Sequence, residues 1–287
     1  MNKHLVAAMM VLAIAAGTAS ADVIAEDSFL TPAGSEYDLG ALNAQSPALT
    51  GFADGDAWDA DDDSYNTFTV ISDGLDYEGL ASSGGAVRLD RNPTTDNAVL
   101  KDAVRASNGN AAGETVYFSA LIQHNGASAQ FGIKMQGKNV NWIGFDESGH
   151  LTLFSQSGGG GSSDHGPATS TATYSAVTHL LVAKLVDNGG GSGQDRLSVY
   201  IDPDLSSGEP TSANLTLDVG TAGFYPSNNG LDSIGLRGDN PGGQSTEPIF
   251  DELRVGDAWA DVTPIPEPAT MSLLAIGGLG ALLRRKR

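Results

Sequence analysis

The segment "IFDELRVG" carries a carboxylate where a strand would bury an apolar side chain. Side chains alternate across a strand, so Ile249, Asp251, Leu253 and Val255 share one face while Phe250, Glu252 and Arg254 share the other. A buried carboxylate without a partner is costly; it must be protonated, hydrogen-bonded or bound to metal. Near the start of the chain Asp27 has the same character, sharing a face with Ala25 and Phe29. If the fold brings the two strands together, two such carboxylates would favour a hard cation that takes oxygen ligands, a calcium with Asp27 and Asp251 as its candidate ligands. The alternative for Asp251 is an edge-strand aspartate bonded to backbone N–H or to an arginine. A second chemistry is sugar binding, which pairs aromatic faces with polar groups. In "NWIGFD", Trp142 and Asp146 alternate with Ile143 and Phe145. One face would then carry a ring for stacking and a carboxylate to orient a hydroxyl; an ordinary core tryptophan is the competing reading. Trp58, Tyr65, Tyr117, Tyr200 and Tyr225 are further aromatic candidates.

Other constellations lead nowhere specific. Asp54, Asp56, Asp59, Asp61, Asp62 and Asp63 form an acidic run. Asp59, Asp61 and Asp63 fit the first alternating positions of an EF-hand loop, but Ser64 stands where glycine is needed and Val70 where glutamate is needed. A solvated loop explains the run better than a calcium loop. His124, His150, His165 and His179 are isolated, with no H-E-x-x-H, and no G-x-S-x-G occurs. Asp164 and His165 would be half a triad, but their glycine-rich surroundings hold catalytic geometry poorly. Cysteine is absent, so there is no thiol nucleophile and no disulfide.

The elements that must position these residues are strands. Glycine counts 37 and proline 12, and the apolar runs are short, which leaves little room for helices. Alternation and β-branched content predict strands near Val23–Ser28, Thr67–Ser72, Gly85–Leu89, Thr115–His124, Ala129–Gln136 and Asn141–Asp146. Six more are predicted near Leu151–Gln156, Thr178–Leu185, Leu197–Ile201, Leu215–Val219, Leu231–Arg237 and Ile249–Val255. Short turns join "QFGIKMQ", "NWIGFD" and "HLTLFSQ" into an antiparallel meander. Leu197, Val199 and Ile201 oppose Arg196, Ser198 and Asp202, as Phe131, Ile133 and Met135 oppose Gln130, Lys134 and Gln136. One-sided burial of many strands requires a second sheet to cover it, hence an all-β, two-sheet antiparallel sandwich. Ser157–Thr173 and Asn188–Gln194 read as loops, and Thr263–Pro266 as a linker.

Both ends of the chain carry addresses. Lys3, the apolar run Leu5–Ala16 and Ala19-Ser20-Ala21 form a signal peptide over residues 1–21, cleaved between Ala21 and Asp22. At the other end Pro266-Glu267-Pro268 precedes an apolar segment, residues 269–283, and then Arg284, Arg285, Lys286 and Arg287. As a helix that segment would span roughly 22 Å, short of a ~30 Å hydrocarbon core unless flanking residues or snorkelling arginines extend it. The basic end predicts a cytoplasmic terminus with the body outside. Without these ends (Lys3, the four terminal cations and Glu267) the body keeps 10 basic and 34 acidic residues, a net charge of −24. That disfavours nucleic acid and anionic membrane surfaces as partners.

Triplet, apolar run and basic end together resemble the PEP-CTERM sorting tail of Gram-negative bacteria. The resemblance implies recognition by an exosortase, a membrane cysteine protease, with transient inner-membrane anchoring and then release to the cell surface or extracellular matrix. The body, residues 22–262, resembles the concanavalin A-like, laminin-G-type jelly roll in its opening "AEDSF", its central meander and its closing "IFDELRVGDAWADV". That family implies a lectin- or glucanase-like sandwich, often with one structural calcium. Its laminarinase-like members carry E-x-D-x-x-E on one strand; here Glu36-Tyr37-Asp38 has no second glutamate nearby. The expectation is therefore an exported, non-catalytic module between a signal helix and a hydrophobic C-terminal helix, binding extracellular polysaccharide or another envelope component. A hydrolase or lyase with an unrecognised site, and a purely structural matrix protein, are the alternatives.

Overall fold

The computed structural model describes residues 23–31, 36–47, 49, 51–52, 57–60, 67–78, 80, 84–90, 96–100, 115–123, 130–136, 139–146, 148–157, 165–186, 195–219, 233–239 and 247–263. In chain order the strands are β1 (Val23–Asp27), β2 (Gly40–Ala41), β3 (Trp58–Ala60), β4 (Thr67–Ile71), β5 (Ala86–Asp90), β6 (Asp96–Leu100), β7 (Thr115–Gln123) and β8 (Gln130–Gln136). There follow β9 (Asn139–Phe145), β10 (His150–Ser157), β11 (His165–Thr173), β12 (Thr178–Val186), β13 (Asp195–Ile201), β14 (Leu215–Val219), β15 (Ser233–Asp239) and β16 (Ile249–Gly256). A 3₁₀ turn (Leu205–Ser207) and a single helical turn α1 (Trp259–Val262) complete the order. The expected signal helix and the segment 269–283 fall outside the described residues; among the described ones no helix is long and apolar enough to cross a membrane.

Two antiparallel sheets form a jelly-roll sandwich. The first runs β14-β13-β12-β7-β16-β5-β4-β2, with β1 added along β16; the second runs β11-β10-β9-β8-β15-β6-β3. All twelve predicted strands occur, because each had an alternating apolar face to bury. Phe118 and Ile122 of the first sheet meet Ile133, Ile143, Phe145, Leu151 and Leu236 of the second in one buried cluster. Each such side chain stabilises the fold by about 1.5–3 kcal/mol.

Three expectations need correction. Residues 165–173, read as loop, form β11 along β10. Its "ATSTAT" stretch is largely exposed and has little to bury, so ladder hydrogen bonds hold it and no hydrophobic pattern announces it. One-sided burial also fails on the first sheet, since every residue of β7 from Val116 to Ile122 is buried. The chain after β16 folds back over the outer face, where Trp259 and Val262 make a second cluster with Leu75, Tyr117, Leu121, Leu180, Val182 and Tyr200. Finally, strict alternation breaks within β16. Asp251 lies opposite Leu121 and Arg254 opposite Ser119, so β16 carries an extra residue there. Glu252 takes up this bulge with φ 50°, and its carboxylate accepts from Ser28 Oγ (3.1 Å) and Arg254 Nη2 (2.8 Å). Phe250, Leu253 and Val255 therefore all reach the main core, while Asp251 faces the outer layer with Ile249.

His179, at the start of β12, ties three segments together. Its Nδ1 lies 2.6 Å from Asp202 Oδ2 and its Nε2 2.9 Å from the Ser175 carbonyl. Both partners only accept, so both ring nitrogens must carry protons. Burial alone would lower the His179 pKa, but the bonds to Asp202 and Ser175 outweigh it and hold it above its ordinary value. A raised histidine stabilises fully below its unfolded pKa and loses that stabilisation as pH rises through the folded one. We expect His179→Gln to cost about 1–2 kcal/mol at pH 6 and less at pH 9, read from denaturant unfolding. An equal cost at both pH values would exclude the doubly protonated ring.

Candidate functional site

The outer face of the first sheet carries a polar pocket of about 590 Å³. Cross-strand register builds it: Tyr117, Lys184 and Ser198 lie side by side on β7, β12 and β13, and Arg196 lies opposite Asp218 on β14. These are the positions left over when Leu185, Leu197 and Val199 turn into the core. The remaining wall comes from the connection after β13. There Asp204 caps the 3₁₀ turn by accepting from Ser206 N (2.9 Å), Gly208 takes φ 74°, and Glu209 is swung over the sheet. Asn214 closes the connection by accepting from Ile201 N at 2.9 Å.

Glu209 is the hub. One carboxylate oxygen accepts from Lys184 Nζ (2.7 Å) and Tyr200 OH (3.1 Å), the other from Tyr117 OH (2.8 Å). Burial works to raise its pKa, but these donors outweigh it and hold the carboxyl below its usual value. The Arg196 guanidinium, at 2.6 and 3.2 Å, likewise lowers Asp218. Burial pushes Tyr200 up to about 12. Near neutral pH the pocket therefore presents fixed carboxylate acceptors and fixed cationic donors, and neither carboxyl can supply a proton. Retaining and inverting glycoside hydrolysis both need one protonated carboxyl, and this pocket has none. Tyr117 and Tyr200 are 6% and 5% exposed, so neither offers an open stacking platform. Trp259 meets both rings edge-on, at 6.2 and 5.2 Å.

The sequence-predicted residues are distributed elsewhere. Asp27 faces the main core. Its Oδ2 accepts from Tyr37 OH at 2.6 Å, Tyr37 in turn accepts from Trp58 Nε1 at 2.8 Å, and Oδ1 accepts from Phe29 N at 3.0 Å. Burial raises Asp27 to about 7. Asp251 faces the other layer, accepting from Leu75 N (2.8 Å) and Glu252 N (2.7 Å), and burial raises it to about 8. β1 and β16 are neighbours as expected, and the Asp27 carboxyl is near enough for its charge to contribute to raising Asp251. A Cβ on Gly74 would lie 3.0 Å from Asp251 Oδ2, 3.2 Å from the Gly85 carbonyl and 3.3 Å from Gly84 N. Among the described residues no three His, Asp or Glu side chains converge as a metal site.

Asp146 closes the β9–β10 turn, accepting from Ser148 N (2.8 Å) and His150 N (2.9 Å). Trp142 sits in register between Lys134 and Phe154, but its side chain lies outside the described residues. So do Tyr65, Tyr225 and most of the acidic run, the cleavage site Ala21–Asp22, and the sorting residues Pro266, Glu267, Pro268, Arg284, Arg285, Lys286 and Arg287. Trp58 is core. Sequence reasoning missed Lys184 and Glu209; the only local signal was the turn sequence "DLSSGEP" beside alternating "RLSVY".

Fold and termini together define an exported all-β sandwich. Residues 264–287 match the PEP-CTERM protein-sorting motif, which marks a protein exported, sorted at the cell envelope and processed by an exosortase. No curated protein matches the chain. Among solved structures, it is similar to a carbohydrate esterase from the Shiga toxin-encoding bacteriophage phi24B, with 15% identity, 82% of this chain and 98% of that one covered, and a TM-score of 0.44. An endo-β-1,4-glucuronan lyase from the fungus Trichoderma reesei aligns at 11% identity over 71% and 93%, TM-score 0.45. A glycosyl hydrolase family 16 protein from Mycobacterium smegmatis aligns at 11% over 82% and 100%, TM-score 0.41.

Proposed function

We propose that the chain is a non-catalytic envelope module that holds a neutral saccharide in the pocket around Glu209. The observation that carries this reading is the lining itself: two carboxylates and two cations, bonded in pairs, set acceptors and donors side by side over a few strands. Such an array suits vicinal hydroxyls. A net charge of −24 on the body disfavours an anionic polymer, and the lowered carboxyls disfavour hydrolysis. One calcium at Asp251 would brace the sheet from the same outer side. Trp142 on the second sheet is the alternative sugar contact.

Titration calorimetry of the exported protein with neutral and uronic-acid oligosaccharides tests this. Neutral chains should bind, and Arg196→Ala with Asp218→Ala should weaken them at least tenfold. That pair is exposed, so its loss should leave stability within about 1 kcal/mol. Binding lost instead in Trp142→Ala would move the site to the second sheet. Release of reducing sugar would overturn the non-catalytic reading, and no binding to any saccharide would favour a structural matrix protein.

A further inference from the structure

The sorting motif begins immediately after a buried residue. Thr263 is 3% exposed and Val262 1%. Thr263 bonds the Trp259 carbonyl through both its N–H (3.1 Å) and its hydroxyl (2.7 Å), and Ser119 Oγ donates to the Val262 carbonyl at 2.7 Å. Asp261 accepts from Asp257 N (3.1 Å) and Ala258 N (2.8 Å), and Trp259 is wedged over Tyr117 and Tyr200. The root of the tail is therefore docked on the sheet.

Docking limits reach. Pro266 is three residues past Thr263, so the triplet starts about 10 Å at most from a packed residue. An enzyme that cuts or transfers a chain at the motif must hold several residues extended on each side. A compact domain of this length has a radius of gyration of about 18 Å, so its bulk stands in the way. If residues 257–263 leave the sheet, the tether runs from the end of β16 and reaches about 35 Å. The docked state also leaves Trp259 Nε1 buried without a hydrogen-bond partner, a cost recovered when the segment leaves.

We infer that the docked segment Trp259–Thr263 is an autoinhibitory latch, which withholds the sorting motif from the exosortase until it peels off the outer face of the first sheet. The latch's partner is the processing enzyme, and its effect is on the rate of tail removal.

Pulse-chase of the full chain in a host with a working exosortase tests it, with mass spectrometry of the exported product. Inserting six Gly/Ser residues between Thr263 and Pro264 keeps every docking contact while lengthening the tether, and should speed processing at least threefold. Trp259→Ala should speed it similarly, and should add nothing in the spacer background, since both remove one constraint. The spacer variant does not disturb the fold, so it decides alone if Trp259→Ala is degraded. Processing of the spacer variant at the parent rate would overturn the latch, and so would additive effects of the two changes.

Discussion

Raising the pH from 5 to 8 in the presence of chelator should lower the melting temperature of the exported protein, and Asp27→Asn should remove roughly 10 °C of that fall, the rest coming from Asp251, which burial also raises, to about 8. Asp27 is wholly buried and its pKa is raised from 3.8 to about 7. Burial in the core is the main cause, opposed by the bonds from Tyr37 and Phe29. A carboxyl whose folded pKa lies above its unfolded value stabilises fully below the unfolded value, and that stabilisation is lost as pH rises through the folded one. The window is therefore about pH 4 to 7, and the full span is worth on the order of 4 kcal/mol. For a domain of this size each kcal/mol moves the melting point by about 2–4 °C. Asparagine mimics the neutral acid: it keeps an oxygen for Phe29 N and leaves Tyr37 bonded to Trp58. His179 slopes the same way, so Asp27→Asn should be compared in a His179→Gln background. Equal slopes with and without Asp27 would show that the carboxyl is ionised in the core.

Strands that bury one apolar face were legible because alternation is the physics of the pleat. Leu197, Val199 and Ile201 turn inward as their spacing requires. The same rule failed at Asp251, because a bulge inserts a residue without any glycine or asparagine to announce it; Glu252 adopts φ 50° on the strength of tertiary bonds from Ser28 and Arg254. The burial of Asp27 and Asp251 could be read from their apolar neighbours, but which side of the sheet each faces could not. The β11 edge strand escaped notice because Thr, Ser and Ala have no apolar face to repeat.

The pocket was less legible still. Lys184 and Glu209 are 25 residues apart and meet only because the connection after β13 folds back over β12. Tyr117 and Tyr200 were visible as aromatic candidates, but the sequence could not say that Trp259 would cover them. That cover comes from the segment "DAWADV", whose role depends on where β16 ends. A residue's chemistry was readable wherever its own strand decided its surroundings. It was hidden wherever a distant segment did, and here the distant segments build both the pocket and the latch.

Adding excess calcium should raise the melting temperature of the exported protein, and Gly74→Ala should remove the effect while leaving every acidic residue in place. A cation that binds only the folded state adds about 2.7 kcal/mol at a hundredfold excess over its dissociation constant. The donors proposed for it are Asp251 Oδ2 and the Gly85 carbonyl, and a Cβ at position 74 would sit 3.0 and 3.2 Å from them. That methyl group occupies the space the ion needs. Asp251→Ala should also abolish the calcium response. It should cost more in chelator, because Leu75 N and Glu252 N lose their acceptor. Asp27→Asn should keep the full response if the site is built on Asp251 alone, since the Asp27 carboxyl is already engaged by Tyr37, which Trp58 bonds in turn. This separates a site built on one aspartate and backbone oxygens from the two-aspartate site that alternation alone suggests. Melting curves that coincide with and without chelator in the parent protein would eliminate calcium from Asp251, and loss of the response in Asp27→Asn would restore the paired site.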